Sequence, residues 1–288
     1  MHLCLVSLDY APVRSSGLTV YAERLAQRLV AGGHAVTVVA ALRPGTARYA
    51  VQQGVCVERV AIDASDWIGY SWRAARHVEQ LQRTRRFDRV HFLDVHFAWA
   101  FEGTYVASLL QSFRQRLTAD NGRPYASSGR NRLFRQGYYN AARWLLERRA
   151  LRRGLALVAL SAATRDEFVQ HYGVDPARIT VVPEAVDTQR FAPQDAADVR
   201  ERLGLTGQRV LVYIGFSTPR KGLEYLAAGL DALPDDVRLV IAGQWEAGYR
   251  QKVLAAAGSG WRKVLEVGSI GDDAVPRYLS LADVVVLP

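Results

Sequence analysis

The chain has 288 residues, a formal net charge of +9 and 49% apolar residues. This length accommodates two α/β domains with buried cores, and no apolar run reaches the roughly 18 residues that a membrane-spanning helix needs. Two cysteines, Cys4 and Cys56, stand far apart with no CxxC pair, which excludes a disulfide framework and a zinc site. The basic excess is almost all arginine, interleaved with Leu and Ala in predicted helices, so we predict a phosphate-attracting surface and no nucleic-acid partner.

The first half of the chain alternates between strand and helix patterns. An apolar run at residues 2–8, a turn-rich segment at 10–17 and an amphipathic stretch at 18–30 predict a strand, a loop and a helix. The valine-rich run 35–41 completes a βαβ unit with a parallel sheet. The first strand has no basic leader before it, which predicts a cytoplasmic protein. Further strands are predicted at 55–62, 89–94, 105–110, 156–160 and 179–182, and helices at 72–85, 140–153 and 162–171.

A second alternating series follows a segment without periodicity. Residues 183–193 contain two prolines and form the predicted linker between an N-terminal domain (1–187) and a C-terminal domain (188–288). Both halves are predicted to be Rossmann-like, which makes this an α/β protein of two domains. The C-terminal strands are predicted at 209–215, 238–243, 264–268 and 283–287, and the helices at 222–233, 249–257 and 274–281.

The segment from Val210 to Leu223 is the most informative, because it joins a strand, a loop with a basic pair and a helix start. Ligands of open parallel sheets bind at the carboxyl ends of strands, and a helix N-terminus favours phosphate. Arg220 and Lys221 lie where a diphosphate would need positive charge. A solvated basic turn explains the same spacing equally well.

Several segments resemble the family 4 retaining glycosyltransferases, in the order in which that family has them. Gly215, Lys221 and Gly222 match its phosphate loop, roughly G-R-x-x-x-x-K-G after a strand. Ser16-Gly17 resembles its N-terminal glycine loop, and the run from Val182 to Asp187 resembles its interdomain V-P-N-G-V-D. The resemblance spans nearly the whole chain and implies the GT-B fold of two Rossmann-like domains. Further similar segments are 33–39, 240–243, 267–268 and 282–288.

This resemblance implies transfer of a sugar from a nucleotide diphosphate donor to the hydroxyl of a sugar or lipid-linked acceptor with retention, in cell-envelope polysaccharide or glycolipid synthesis. Departure of the diphosphate needs preorganised positive charge, which assigns catalysis to Lys221 and Arg220. We expect no metal and no other cofactor, because no aspartate-rich motif is present. The expected donor-binding residues are Gly215, Phe216, Ser217, Lys221, Gly222 and Gly243. The residues expected at the acceptor or interdomain cleft are Ser16, Gly17, Asp94, Gln111, Arg114, Glu184 and Asp187.

Three departures from the family support an alternative, a non-catalytic or partner-dependent half of a glycosyltransferase. Phe216 replaces the arginine that follows the strand glycine, and residues 111–114 replace a histidine near the acceptor. The E-x7-E segment, which follows the last strand in the family, is absent. We therefore expect an incomplete second domain, from a truncated product or a split enzyme, that a second chain completes. A sugar-nucleotide epimerase of the same fold is a third alternative.

Arginine-rich segments carry two further hypotheses. The basic stretch 143–153 is compatible with peripheral contact at the inner face of an anionic membrane, or with an ordinary helix whose arginines face water, which we favour. At the end of a predicted strand, Asp94 is a candidate for substrate contact, whereas His91 fits a hydrogen-bonded core residue. Loop arginines that either bind an acidic acceptor or are solvated are Arg114, Arg116, Arg123, Arg130, Arg132 and Arg135.

Overall fold

The computed structural model describes residues 1–13, 16–62, 67–115, 137–138 and 140–288. Contacts divide the chain into two compact units, Met1–Glu184 and Ala185–Pro288, which we call unit 1 and unit 2. The domain boundary predicted after Asp187 lies shortly downstream of this division. The loop arginines from Arg116 to Arg135 lie outside the described residues, so the hypothesis about their ligands stays a prediction.

Unit 1 is built on one eight-stranded sheet. Its strands are β1 (His2–Val6), β2 (Ala35–Ala41), β3 (Tyr49–Gln52), β4 (Val55–Val60), β5 (Arg89–Phe92), β6 (Val106–Leu109), β7 (Ala156–Ala159) and β8 (Ile179–Val181). Their order is β3-β4-β2-β1-β5-β6-β7-β8, and every neighbouring pair is parallel except β3 with β4. Its α-helices within the described residues include α1 (Gly17–Ala31), α2 (Trp67–Thr84), α3 (Arg148–Arg153) and α4 (Ala162–Tyr172).

The two faces of this sheet have different helices over them. Successive side chains of a strand point to opposite faces, and in β1 Leu5 joins the core beneath α1 whereas Cys4 and Val6 join the other core. Helices α2, α3 and α4 cover this second core. The parallel strands β1, β5, β6, β7 and β8 all end at one edge of the sheet, which we call the carboxyl edge of unit 1.

Unit 2 has a smaller sheet, which is parallel throughout. Its strands are β9 (Arg209–Ile214), β10 (Val237–Ala242), β11 (Val264–Gly268) and β12 (Val284–Val285), in the order β11-β10-β9-β12. Its helices are α5 (Ala197–Arg202), α6 (Leu223–Ala228), α7 (Tyr249–Ala257) and α8 (Val275–Ser280). Helices α6 and α7 pack on one face of the sheet, and α5 and α8 pack on the other.

Several predicted boundaries were wrong. The helix predicted at 222–233 is interrupted by Gly229, so it consists of α6 and a separate 3-10 turn, Leu230–Ala232. The strand predicted at 283–287 pairs with β9 only over Val284–Val285, and these two side chains are 53% and 46% exposed. Neither β3 nor α5 was predicted. No described helix is both long enough and apolar enough to cross a bilayer.

Candidate functional site

The loop between β9 and α6, residues 215–222, is hydrogen-bonded to the loop that follows β10. The Gly215 amide donates to the carbonyl of Ala242 over 2.9 Å, and the Ser217 amide donates to Gln244 over 2.8 Å. In return, the amide of Glu246 donates to the Ser217 carbonyl over 2.9 Å. The two loops therefore form one backbone-linked surface at the carboxyl ends of β9 and β10, the edge at which open parallel sheets bind ligands.

Glycine is required at two of the predicted donor positions. Gly243 has a φ of +143°, and a Cβ atom there would lie 1.9 Å from the carbonyl oxygen of Gly215. Gly222 has a φ of +69° and ends the 3-10 turn Pro219–Lys221. Any side chain at either position would strain or displace the backbone. The glycines found from the resemblance thus have a structural reason within unit 2.

Two positive side chains lie on this loop without an acidic partner. Arg220 is exposed and Lys221 is half-buried, and neither makes an ion pair or side-chain hydrogen bond with a described residue. The hydroxyl oxygen of Thr218 is buried and has no hydrogen-bond partner among the residues that the structure describes. Phe216, in the place of the family's arginine, is 53% exposed. The loop therefore offers uncompensated positive charge and an unused hydroxyl.

A buried carboxylate near the loop is neutralised by other residues. Glu224 lies in the first turn of α6, and Lys252 Nζ is 2.8 Å from its Oε1 while the Tyr249 hydroxyl donates to its Oε2. Burial by itself raises the pKa of Glu224, but the bonds from Lys252 and Tyr249 outweigh it and hold this pKa below its usual value. Glu224 is therefore paired with Lys252. The sequence could not reveal this pairing, because Lys252 is 28 residues away.

In unit 1, the candidates Ser16, Gly17, Gln111 and Glu184 lie at the carboxyl edge. Ser16 and Gly17 are exposed at the start of α1, and Gln111 and Glu184 follow β6 and β8. The Ser16 hydroxyl does not cap α1, and a Cβ atom at Gly17 would meet nothing within 4 Å. No packing against the described residues accounts for a glycine at position 17, so its role in binding an acceptor stays a prediction.

Asp94 belongs to a buried acid–histidine–acid cluster. Its Oδ1 accepts from the His96 amide over 3.0 Å and lies 2.7 Å from His96 Nδ1. His96 Nε2 lies 2.9 Å from Oε1 of Glu147, which also accepts from the Phe113 amide over 3.1 Å. Although burial alone lowers the pKa of His96, Asp94 and Glu147 outweigh it and raise this pKa to about 9. At neutral pH His96 is therefore a buried imidazolium between two carboxylates.

Three other candidate side chains have partners within their own unit. Arg114 Nη1 lies 3.3 Å from Glu167 Oε2, and Asp187 Oδ1 accepts from the Gln189 and Arg190 amides over 3.1 Å each. His91 Nε2 is 2.9 Å from the Ser108 hydroxyl, which confirms that it is a hydrogen-bonded residue. Burial lowers the pKa of His91 to about 4, so it is neutral.

Among the described residues, no three His, Cys, Asp or Glu side chains are grouped as metal ligands. The expectation that no metal or other cofactor takes part stays a prediction.

Comparison with known families assigns the chain. The sequence profile of "Glycosyltransferase Family 4" matches residues 15–190, which is more than half of the chain. The chain belongs to glycosyltransferase family 4. A second profile, "Glycosyl transferases group 1", matches residues 195–288. The family indicated by the motifs is therefore confirmed.

Individual family members cover different shares of the chain. An alpha-D-kanosaminyltransferase of Streptomyces kanamyceticus is 31% identical over 170 residues, which are 57% of this chain and 44% of that relative. A D-inositol 3-phosphate glycosyltransferase of Geodermatophilus obscurus is 34% identical over 145 residues, which are 46% of this chain and 32% of that relative. The chain thus spans less than half of the length of either.

A solved structure, a sucrose-phosphate synthase from Thermosynechococcus elongatus, superposes with a TM-score of 0.76 at 16% identity. The match covers 100% of this chain and 75% of that one. At this identity the likeness concerns the fold, and it confirms the predicted α/β architecture of two Rossmann-like domains.

Proposed function

We propose that this family 4 chain takes part in the transfer of a sugar from a nucleotide diphosphate to an acceptor hydroxyl, with retention at the anomeric carbon. In this reaction the bond between the anomeric carbon and a diphosphate oxygen breaks, and a bond to the acceptor oxygen forms. The acceptor hydroxyl passes its proton to the departing diphosphate oxygen, so the products are the glycoside and the protonated nucleotide diphosphate. The single observation that carries the proposal is the pair of unpartnered cations, Arg220 and Lys221, on a loop fixed by glycines.

The loop suits a leaving diphosphate for electrostatic reasons. Charge develops on the diphosphate oxygens as the glycosidic bond breaks, and preorganised cations stabilise that charge without reorganising. The backbone bonds from the 215–222 loop to Gln244 and Glu246 supply the preorganisation. Since Glu224 is already paired with Lys252, it does not compete with the ligand for Lys221.

For the acceptor we favour the exposed start of α1 at Ser16 and Gly17, where the chain leaves open space. One relative is named for D-inositol 3-phosphate, which is consistent with a polyhydroxylated acceptor. A role in cell-envelope polysaccharide or glycolipid synthesis rests on the family resemblance alone.

The test is isothermal titration of the purified chain with UDP and with GDP. We expect one nucleotide to bind, and Lys221→Ala to weaken its binding by roughly tenfold to a hundredfold, since a hydrogen bond to a charged group contributes about 1.5–3 kcal/mol. Arg202→Ala, which removes an exposed arginine from α5 in the same unit, is the matched control and should bind as wild type. Equal binding by Lys221→Ala and wild type would remove Lys221 from the proposed site.

The exposed Phe216 favours a second candidate, a half-enzyme that needs a partner to act. In that case position 216, where the family has an arginine, contributes no positive charge to donor binding. A folded, monodisperse wild-type chain that binds neither nucleotide would favour this candidate over the first.

A further inference from the structure

The helix at residues 140–153 exposes two large apolar side chains next to each other. Trp144 is 60% exposed and Leu145 is 68% exposed, both within the π-helical turn Arg143–Glu147. The opposite side of the helix is buried through Glu147, Ala150 and Leu151. The outward side of the helix therefore exposes large apolar side chains to solvent, where they could contact another surface.

The same side of the helix carries arginines at helical spacing. Arg148 follows Trp144 by four residues and Arg152 follows by four more, so these side chains share one face. The guanidinium carbon of Arg148 lies 4.1 Å from the centroid of the Trp144 ring. Trp144, Leu145, Arg148 and Arg152 together form a surface that we call the tryptophan–arginine face.

The charge of this face is not neutralised within the described residues. Neither Arg148 nor Arg152 makes an ion pair there; Arg152 is exposed, whereas Arg148 is half-buried and its Nε atom is buried without a hydrogen-bond partner. The neighbouring Arg149 and Arg153 differ, because both are paired with Glu102 at 2.9 and 2.6 Å. Two positive charges beside an apolar pair are thus left for an external partner.

We propose that the tryptophan–arginine face docks on the surface of an anionic lipid bilayer. Tryptophan and leucine enter the interface between headgroups and acyl chains, where an amphipathic ring is favoured. Arginine attracts anionic headgroups, and each basic residue near the membrane strengthens binding by roughly fivefold. Charge complementarity selects the lipid surface, because the outward face has two uncompensated arginines and no acidic side chain.

The proposal is tested by co-sedimentation of the full chain with vesicles of phosphatidylcholine alone, or with about a third phosphatidylglycerol. We expect binding only to the anionic vesicles, with loss at high salt. Trp144→Ser/Leu145→Ser should weaken binding at least tenfold, and Arg148→Gln/Arg152→Gln by roughly twenty-five-fold, the product of two fivefold effects. Val51→Ser/Arg24→Gln removes an exposed apolar residue and an exposed arginine from β3 and α1, and should bind as wild type.

A second readout separates lipid contact from misfolding. Brominated lipids should quench tryptophan fluorescence of the wild type more than that of Trp144→Phe, which keeps the apolar bulk. Equal binding to both kinds of vesicle, or unchanged binding of either double variant, would overturn the proposal. So would a wild-type dimer that Trp144→Ser/Leu145→Ser makes monomeric without any change in lipid binding, because the face would then join two copies of the chain.

Discussion

Gly243 follows the last residue of β10 and lies against the backbone of Gly215 in the β9–α6 loop. We expect Gly243→Ala to destabilise unit 2 by about 2 kcal/mol or more, because the new methyl group would overlap the Gly215 carbonyl oxygen and alanine disfavours the φ of +143°. Urea denaturation measures the loss. Gly271→Ala is the control, since a Cβ atom there would meet nothing within 4 Å. Equal stability of the two variants would contradict the close approach.

The imidazolium of His96 makes stability depend on pH. Its pKa is about 9 in the folded chain against an ordinary value of 6.5, so between these values the folded chain holds a proton that the unfolded chain has released. The free energy of unfolding should therefore fall as pH rises from about 6.5 to 8.5, by up to about 1.4 kcal/mol per pH unit. Burial lowers the pKa of His91, so His91 affects the pH dependence of stability below this window. Burial raises the pKa of Cys4, so Cys4 affects it above this window.

Denaturation by urea at three pH values in that window measures the effect. Glu147→Gln should reduce the slope, since one of the two carboxylates that hold the proton is lost, and should cost about 3–5 kcal/mol because the buried pair is broken. Wild-type stability that is flat or rises with pH would contradict a charged His96.

Sequence reasoning named candidate site residues but not the residues that they or their neighbours pair with. Lys221 and Arg220 were named from spacing and resemblance, whereas the pairing of the nearby Glu224 with Lys252, 28 residues away along the chain, was not predicted. Asp94 was placed correctly at the end of a strand. Glu147, the second acidic residue that contacts His96, lies 51 residues after His96 in the sequence and was not predicted. Such pairings depend on how helices pack, and local pattern carries no signal for them.

Arg178 donates hydrogen bonds to carbonyl groups at the C-terminal end of α3. One of its guanidinium nitrogens donates to the carbonyl of Leu151 over 2.9 Å and also to the carbonyl of Gly154. Arg178→Ala should cost about 1.5–3 kcal/mol and speed amide hydrogen exchange in α3, because carbonyls at the helix end lose a charged donor. Arg83→Ala, an exposed arginine of α2, is the control. Unchanged exchange in α3 would show that the helix end does not depend on Arg178.

Strands with strong apolar runs were predicted well, and weaker elements were not. The pattern located β9 and β10 within a residue or so, because most of their side chains are buried or half-buried and both strands are rich in Val, Leu and Ile. It missed β3, an edge strand that pairs antiparallel with β4 through a turn at Gln53 and Gly54. Edge strands are half exposed, so pairing with a neighbour, rather than hydrophobic content, defines them.

At the scale of the whole molecule, the division into two units predicts where a protease cuts first. Residues 182–187 form neither helix nor strand, and Glu184 is exposed. A glutamate-specific protease should cleave first after Glu184 and release fragments 1–184 and 185–288, since extended exposed backbone fits a protease without unfolding. The residues that the structure does not describe contain no glutamate, so they offer no competing site.

Mass spectrometry of the first fragments checks this expectation. Glu184→Gln should abolish the early cut and leave the rest of the digestion pattern unchanged. A first cut after Glu102 or Glu246 would show that the connection between the units is better protected than its exposure indicates.

The backbone hydrogen bonds that join the β9–α6 loop to residues 242–246 also limit how either loop can be engineered. Because the partners of Ser217 are main-chain groups of Gln244 and Glu246, a graft of residues 215–222 keeps these bonds only if it preserves the length and backbone path of the loop. A library that varies side chains at fixed loop length and keeps Gly243 should therefore fold, whereas an insertion or deletion in one loop alone would separate the Ser217 backbone from its partners.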